Sequence, residues 1–433
     1  MLQDDVGAAA DAQFRGAGEA GLRRRPEALA SVDSDLPTGS DWPAGSERPG
    51  ESPGPARAAG SRLRALSPED RAALGIWAAA HLALLALAWA AAWAFRATRE
   101  HAPLTAAFEH WDAGLLRNIA QHGYFAPQSV TNNAAFFPGY PAALAAGHLI
   151  LRNWVLSEVV VSGVVGCFAV VALARLAGGS RAVLYLILSP AAIFLMIGYA
   201  EGLFLAFAIP AWHAAARGRW WRAALLAGLA GLVRPDALFL IPALAVMALA
   251  GYRGPGTWPE PAATLGKRLA NAAIACCGLA GPAAYAAYLW LHTGSLLTWS
   301  TALRTGWDLH LSTPFQAART TWWAAFRHAF SASTAFEFQL ELGVMAAMLL
   351  ATLAFACWRH WPEAAYCGLA VIALGTSTWF ETGPRTLMIL FPVFIGLAVL
   401  GARWPWVRYA YFGISGPLAV VLAMLYLSGQ WAG

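Results

Sequence analysis

The sequence holds one lysine against 28 arginines, only five cysteines and, past its first 71 residues, very little charge. Each shortage excludes something. Cys167, Cys276, Cys277, Cys357 and Cys367 all lie inside apolar runs, so neither a disulfide framework nor a zinc site is implied. The zinc-protease pattern H-E-x-x-H and the phosphate-binding P-loop are both missing, and nothing calls for a metal or a nucleotide cofactor. The net charge of +5 is small, and no basic block alternates with aromatics, which excludes nucleic acid as a partner. Met1 is followed by acidic and small residues, so no signal peptide is expected at this end.

The shortage of charge says most. Charged residues make up 12% of the chain and apolar ones 58%. Of the 53 charges, 21 sit within residues 1–71, and the other 362 residues carry 32, roughly 9% against the ~25% of a soluble domain. So little charge cannot cover a soluble surface. The chain therefore reads as an all-α polytopic membrane protein with a polar tail.

What is present then orders itself along the chain. Residues 1–70, rich in Ala, Gly, Pro and Ser, are expected to be a disordered tail, leaving 71–433 as the membrane domain. Arg57, Arg62, Arg64 and Arg71 precede the first apolar run and are expected to hold the N-terminus in the cytoplasm. That run, about 73–95, ends at Arg96, Arg99 and Glu100. Arg175 and Arg181, like the cluster Arg217, Arg219 and Arg222, should again be cytoplasmic. Further spans are expected at about 155–175, 183–198, 202–216, 269–291, 338–357, 364–380, 386–402 and 409–429. The stretch 223–250 lies between Arg222 and Arg253 with Arg234-Pro235-Asp236 near its middle, and reads as a hairpin of two short helices with Arg234 at an external apex. The total is about eleven spans, between ten and twelve. Two large external loops, about 97–154 and 292–337, should carry juxtamembrane helices, one of them within 136–151, where Pro138 and Pro141 interrupt a run too short to cross.

A few charges stand apart from this topological role. In "EHWDAGLLRNIAQHGY", Leu115, Leu116, Ile119 and Ala120 recur at helical spacing, which places Asp112 near the start of a short amphipathic helix. It is either a helix cap or a functional carboxylate, and between aromatics at the membrane boundary a carboxylate can serve as general base toward a hydroxyl. Trp111, His122 and Tyr124 of the same loop are candidate substrate contacts, and Asp308 in "GWDLHLSTPF" is a rival base. Glu201, with Tyr199 two residues before it, needs water, a cation or a hydroxyl-rich ligand. Arg234 and Arg385 each stand beside a proline in apolar sequence, and an arginine there can bind phosphate bidentately. Two arginines and two carboxylates on one side point to a phosphorylated lipid substrate.

In order along the chain, "WDAGLLRNIAQHGY", "AAFFPGYP", "SPAAIFLMIGYAEGLF", "GRWWRAALLAGLAGLVRPDALFLIPAL" and "GPRTLMILFPVFIGLAVL" resemble the sequence blocks of the PIG-V-type mannosyltransferases, which add the second mannose of GPI anchors, and of their bacterial relatives. The resemblance covers about residues 108–402 and implies the GT-C fold of polytopic glycosyltransferases that use lipid-phosphate sugars. It makes Asp112 the catalytic base, aligns Tyr199 and Glu201 with the family's aromatic-x-Glu, and matches Arg234 to the arginine before a usual small-polar-Gly run and Arg385 to the Pro-Arg block of the late loop. Leu116 stands where an aromatic is common, and Pro235-Asp236-Ala237 replaces a Ser-Asn-Gly-like run. The expected activity is mannosyl transfer from polyprenyl-phosphate mannose to a hydroxyl of a glycan, glycolipid or protein outside the membrane. A different lipid-linked sugar, or transport or flipping of such a lipid with no new bond, are the alternatives.

Overall fold

The structure is a computed structural model that describes residues 66–94, 108, 110–130, 132–251, 264–327 and 330–430. The tail expected at 1–70, apart from its last five residues, lies outside the described residues, as do Arg57, Arg62, Arg64, Arg96, Arg99, Glu100 and Arg253. The described chain is helix and turn, with no strand among the described residues. α1 (Pro68–Ala94) opens on a reciprocal cap, in which the Ser67 hydroxyl accepts from the Asp70 amide and the Asp70 carboxylate from the Ser67 amide. The 11-residue α2 (Asp112–His122) follows, then α3 (Gly139–Leu151) and α4 (Trp154–Ala177).

At 1.5 Å per residue, about 20 residues are needed to cross a bilayer. Five helical stretches are long and apolar enough: Pro68–Trp93, α4, Leu265–Thr293, Ala332–Cys357 and Pro405–Leu427. A sixth is a bent pair, and the expected total of eleven is not reached by this measure among the described residues. The difference has identifiable causes. The segment 183–198 is not one span: Pro190 lacks an amide and disfavours helix at Ser189, so α5 (Arg181–Ile187) stops after seven residues and the chain continues through a buried 3₁₀ turn, Ala192–Leu195. The segment 386–402 is likewise broken, into Gly383–Ile389 and Phe391–Arg403. α6 (Glu201–Ala216) is a single helix of 16 residues buried along most of its length, with α4 and the helices Trp220–Val233 and Ala237–Ala250 packing around it. α7 (Trp220–Val233) and α8 (Ala237–Ala250) are two helices of 14 residues joined through Arg234–Pro235–Asp236, the pair of short helices expected there.

Beyond them, α9 (Leu265–Cys276) and α10 (Ala280–Thr293) make one 29-residue apolar stretch. The second expected loop is largely helical, with α11 (Thr298–Trp307) and α12 (Pro314–Phe326) before α13 (Ala332–Cys357). α13 begins six residues earlier than the apolar pattern marks, because its first turns carry buried Glu337 and Glu341. α14 (Trp361–Gly375) leads to α15 (Gly383–Ile389) and α16 (Phe391–Arg403), which meet at 73°. Leu390 falls outside helical geometry just before Pro392, which is where the helix breaks. α17 (Pro405–Leu427) closes the chain against α1 and α16.

Candidate active site

The site forms where the starts of α2, α6 and α15 meet the end of α7. α2 buries Ala113, Leu116 and Ile119, one face of a helix, which fixes its first residue, Asp112, against the core. The residue before it, Trp111, takes a left-handed φ of 57° and makes no side-chain cap, so Asp112 is a helical residue whose carboxylate is left for other partners. Arg117 on the next turn holds buried Glu158 of α4 through two bonds of 2.6 and 2.9 Å, tying α2 to the bundle. Tyr426 of α17 and Tyr199 both donate to the carbonyl of His110, at 3.2 and 3.4 Å.

α15 presents Arg385. Its start is set by Thr382, with a left-handed φ of 61°, and by Pro384 in the first turn. The Gly383 amide donates to Glu341 Oε2 at 2.8 Å. A Cβ at Gly383 would lie 2.5 Å from that oxygen, so glycine is what permits the approach. The Arg385 guanidinium lies over the rings of Phe194 and Tyr199, 5.1 and 4.8 Å from their centroids.

The four charges that stand apart in the sequence are joined into one chain of hydrogen bonds. Arg385 donates through Nη1 to Asp112 Oδ2 at 2.8 Å and through Nε to Glu201 Oε1 at 2.7 Å. Glu201, fully buried, accepts on the same oxygen from Arg234 Nη1 at 2.5 Å, and Arg234 Nε donates to Asp236 Oδ2 at 2.7 Å. Among the described residues, neither arginine's Nη2 has an acceptor, which leaves it for a further one. Three carboxylates face two guanidinium groups, which leaves the chain one negative charge. Such a buried network is held by its pairing: removing one member strands the charge of its neighbour.

A cavity of about 490 Å³ opens onto this chain. Trp111, Asp112, Arg234 and Arg385 line it, against an apolar wall that includes Phe136, Leu303 and Trp307. Glu381 and Thr382 line it as well, and Glu381 is the functional candidate that sequence reading missed. Its signal was available, since Glu381 stands only four residues before Arg385. It is 8% exposed, accepts from the Trp379 indole at 3.1 Å and makes no ion pair among the described residues. Burial, with the charge of Asp112 adding to it, pushes its carboxyl up to about 7.

Other expected residues lie elsewhere. Tyr199 is 2% exposed and touches Arg385 and the His110 carbonyl, and it does not line the cavity. His122 is exposed at the end of α2 beside Asn118. Tyr124 donates to the Phe136 carbonyl at 3.0 Å within a cluster of Tyr285 and Tyr288, behind the wall and not in it. Asp308 is 73% exposed and does not line the cavity, which removes the rival base from the site. His122→Ala is accordingly expected to change any activity of this site by less than about threefold, as surface substitutions away from a site do; initial rates in detergent solution would check it.

Helices throughout the described residues, five stretches long and apolar enough to cross a bilayer, and an ion network lining a cavity define an integral membrane protein with a charged site among its helices. Residues 89–292, a little under half of the chain, match the family model described as mannosyltransferase (PIG-V). That stretch carries Asp112, Tyr199, Glu201 and Arg234, while Arg385 and Glu381 lie beyond it. The chain is similar to the GPI alpha-1,6-mannosyltransferase 2 of Rattus norvegicus, 35% identical over 153 residues, which is 31% of this chain and 30% of that one. The protein of the same name from Homo sapiens is 32% identical over 186 residues, 39% of this chain and 37% of that one. The matches thus span about a third of the length of these relatives. No solved structure matches the chain.

Proposed function

We propose that the protein transfers a mannosyl residue from polyprenyl-phosphate mannose to a hydroxyl of a glycan, glycolipid or protein acceptor, in a GT-C-type site on the side of the membrane away from the N-terminus. What carries this reading is the convergence of a carboxylate and two fixed guanidinium groups on one cavity, in a chain similar to GPI mannosyltransferases. Asp112 takes the proton of the acceptor hydroxyl as its oxygen attacks the anomeric carbon. The bond from that carbon to the phosphate oxygen breaks, and the lipid phosphate leaves toward the free N–H groups of Arg234 and Arg385. Attack opposite the leaving phosphate inverts the centre, so a β-linked donor gives an α-mannoside. A phosphate at Arg385 competes with Asp112 for the guanidinium, so donor binding releases the carboxylate that acts as base.

Glu381 gives the site a pH dependence with a definite sign. Below its value of about 7 the carboxyl is neutral; above it, a second negative charge appears beside Asp112 and the donor phosphate. The KM for the lipid donor is expected to rise as pH climbs through about 7, and Glu381→Gln is expected to flatten that rise; donor titrations from acid to alkaline pH would check it. In the cell, removing the protein should delete an α-linked mannose from the surface glycans. Mass spectrometry that finds those glycans unchanged would sink the proposal.

A further inference from the structure

A second cavity, of about 830 Å³, lies between the start of α1 and the facing ends of α4, α6 and α7. It sits at the far ends of the two helices that carry Glu201 and Arg234, roughly 20 Å along them at 1.5 Å per residue. Four arginines line it, Arg175, Arg217, Arg219 and Arg222, with His213 among them, against the acidic Glu69 and Asp70. With the histidine neutral that is an excess of two positive charges. The two signs are arranged differently. Asp70, 2% exposed, is fully engaged: its two oxygens accept from Arg175 at 2.9 and 2.8 Å, and it is capped by Ser67. That pairing fixes one guanidinium at the rim while leaving the side chain 59% exposed. Arg217, Arg219 and Arg222 make no ion pair among the described residues.

The turn between α6 and α7 sets two of these arginines on either side of a single residue. Gly218 has a φ of 71°, which lets the chain reverse in the shortest space, so that Arg217 ends α6 and Arg219 stands at the cap of α7. No side chain caps α7, so its first backbone N–H groups are open to an acceptor beside the guanidinium groups. Between Arg219 and Arg222 and one turn beyond, α7 exposes Trp221 at 68% and Leu225 at 66%. An indole followed one turn later by an aliphatic side chain is the sequence of groups met on passing from headgroups to acyl chains.

From this arrangement we infer that the cavity binds a phosphate group borne on an anionic membrane lipid, held by Arg217, Arg219 and Arg222 with Arg175 fixed at its rim, while Trp221 and Leu225 meet the glycerol and acyl portions. Planar guanidinium groups bind phosphate bidentately, and a cluster of exposed arginines lining a cavity between helix ends distinguishes an anionic headgroup from a zwitterionic one. The site is independent of the transfer reaction proposed above and stands or falls apart from it.

The test uses the purified full-length chain in neutral detergent, followed by thermal unfolding and by native mass spectrometry of retained lipid. Phosphatidylglycerol is expected to raise the unfolding temperature saturably and to be retained, with phosphatidylcholine at least about 10-fold weaker. Arg217→Gln/Arg219→Gln/Arg222→Gln should lose that preference. The single Arg222→Gln, which leaves the turn intact, should weaken it in the same direction. Equal response to the two lipids, or an undiminished preference in these variants, would overturn the assignment. If inorganic phosphate alone reproduces the full stabilisation and displaces no lipid, the cavity is a soluble-phosphate site and the lipid assignment fails.

Discussion

Asp112→Asn is expected to lower mannosyl transfer by about 10²- to 10⁴-fold, the range lost when a positioned general base is removed. Asparagine keeps the shape of the side chain and one oxygen that can accept from Arg385 Nη1, so the loss should fall on kcat more than on donor KM. The variant should also fold, since Arg385 retains Glu201 as its second partner at 2.7 Å. A transfer assay with labelled lipid donor, paired with a thermal unfolding curve, separates loss of chemistry from loss of structure. Full activity in the folded variant would remove Asp112 from the role of base.

Arg385→Leu carries the largest expected effect on stability. It leaves fully buried Glu201 with one cationic partner and Asp112 with none, and breaking a buried pair in this way costs about 3–5 kcal/mol. Adding Glu201→Leu should recover part of that cost, because Arg234 still has Asp236 at 2.7 Å while the stranded carboxylate is gone. Both variants should be inactive, since each removes a donor for the leaving phosphate. Chemical or thermal unfolding of the two in the same detergent would check the order. A single variant as stable as the parent would show that the network contributes little to the fold.

The parts of the site that were legible in the sequence were those where charge is expensive. Asp112, Glu201, Arg234 and Arg385 could be singled out because an ion in apolar sequence needs a reason to be there. Arg385 and Asp112, 273 positions apart, do meet. Their pairing was not legible: the sequence pattern left both arginines free for phosphate, whereas each engages two carboxylates, because a buried guanidinium is neutralised by the nearest acid the fold supplies. Tyr199 shows the same limit, since an aromatic two residues before a carboxylate can face a ligand or, as here, stack under an arginine. Glu381 was passed over because it falls in the short gap between the spans expected at 364–380 and 386–402, where hydropathy gives a carboxylate no distinction. The helices were clear where apolar runs were long, as in α4, α13 and α17. They were obscured where a proline divided a run, as at Pro190 and Pro392, because hydropathy does not register a missing amide.

A transferase, unlike a transporter or flippase, makes a new glycosidic bond. The most direct measurement supplies the purified protein with polyprenyl-phosphate mannose labelled in the sugar, together with a hydroxyl acceptor, and analyses products by mass spectrometry and NMR. The expected result is an α-mannoside formed in step with released polyprenyl phosphate, from a β-linked donor. Passage of intact donor across a bilayer with no mannoside formed, or a product that retains the donor's configuration, would contradict it.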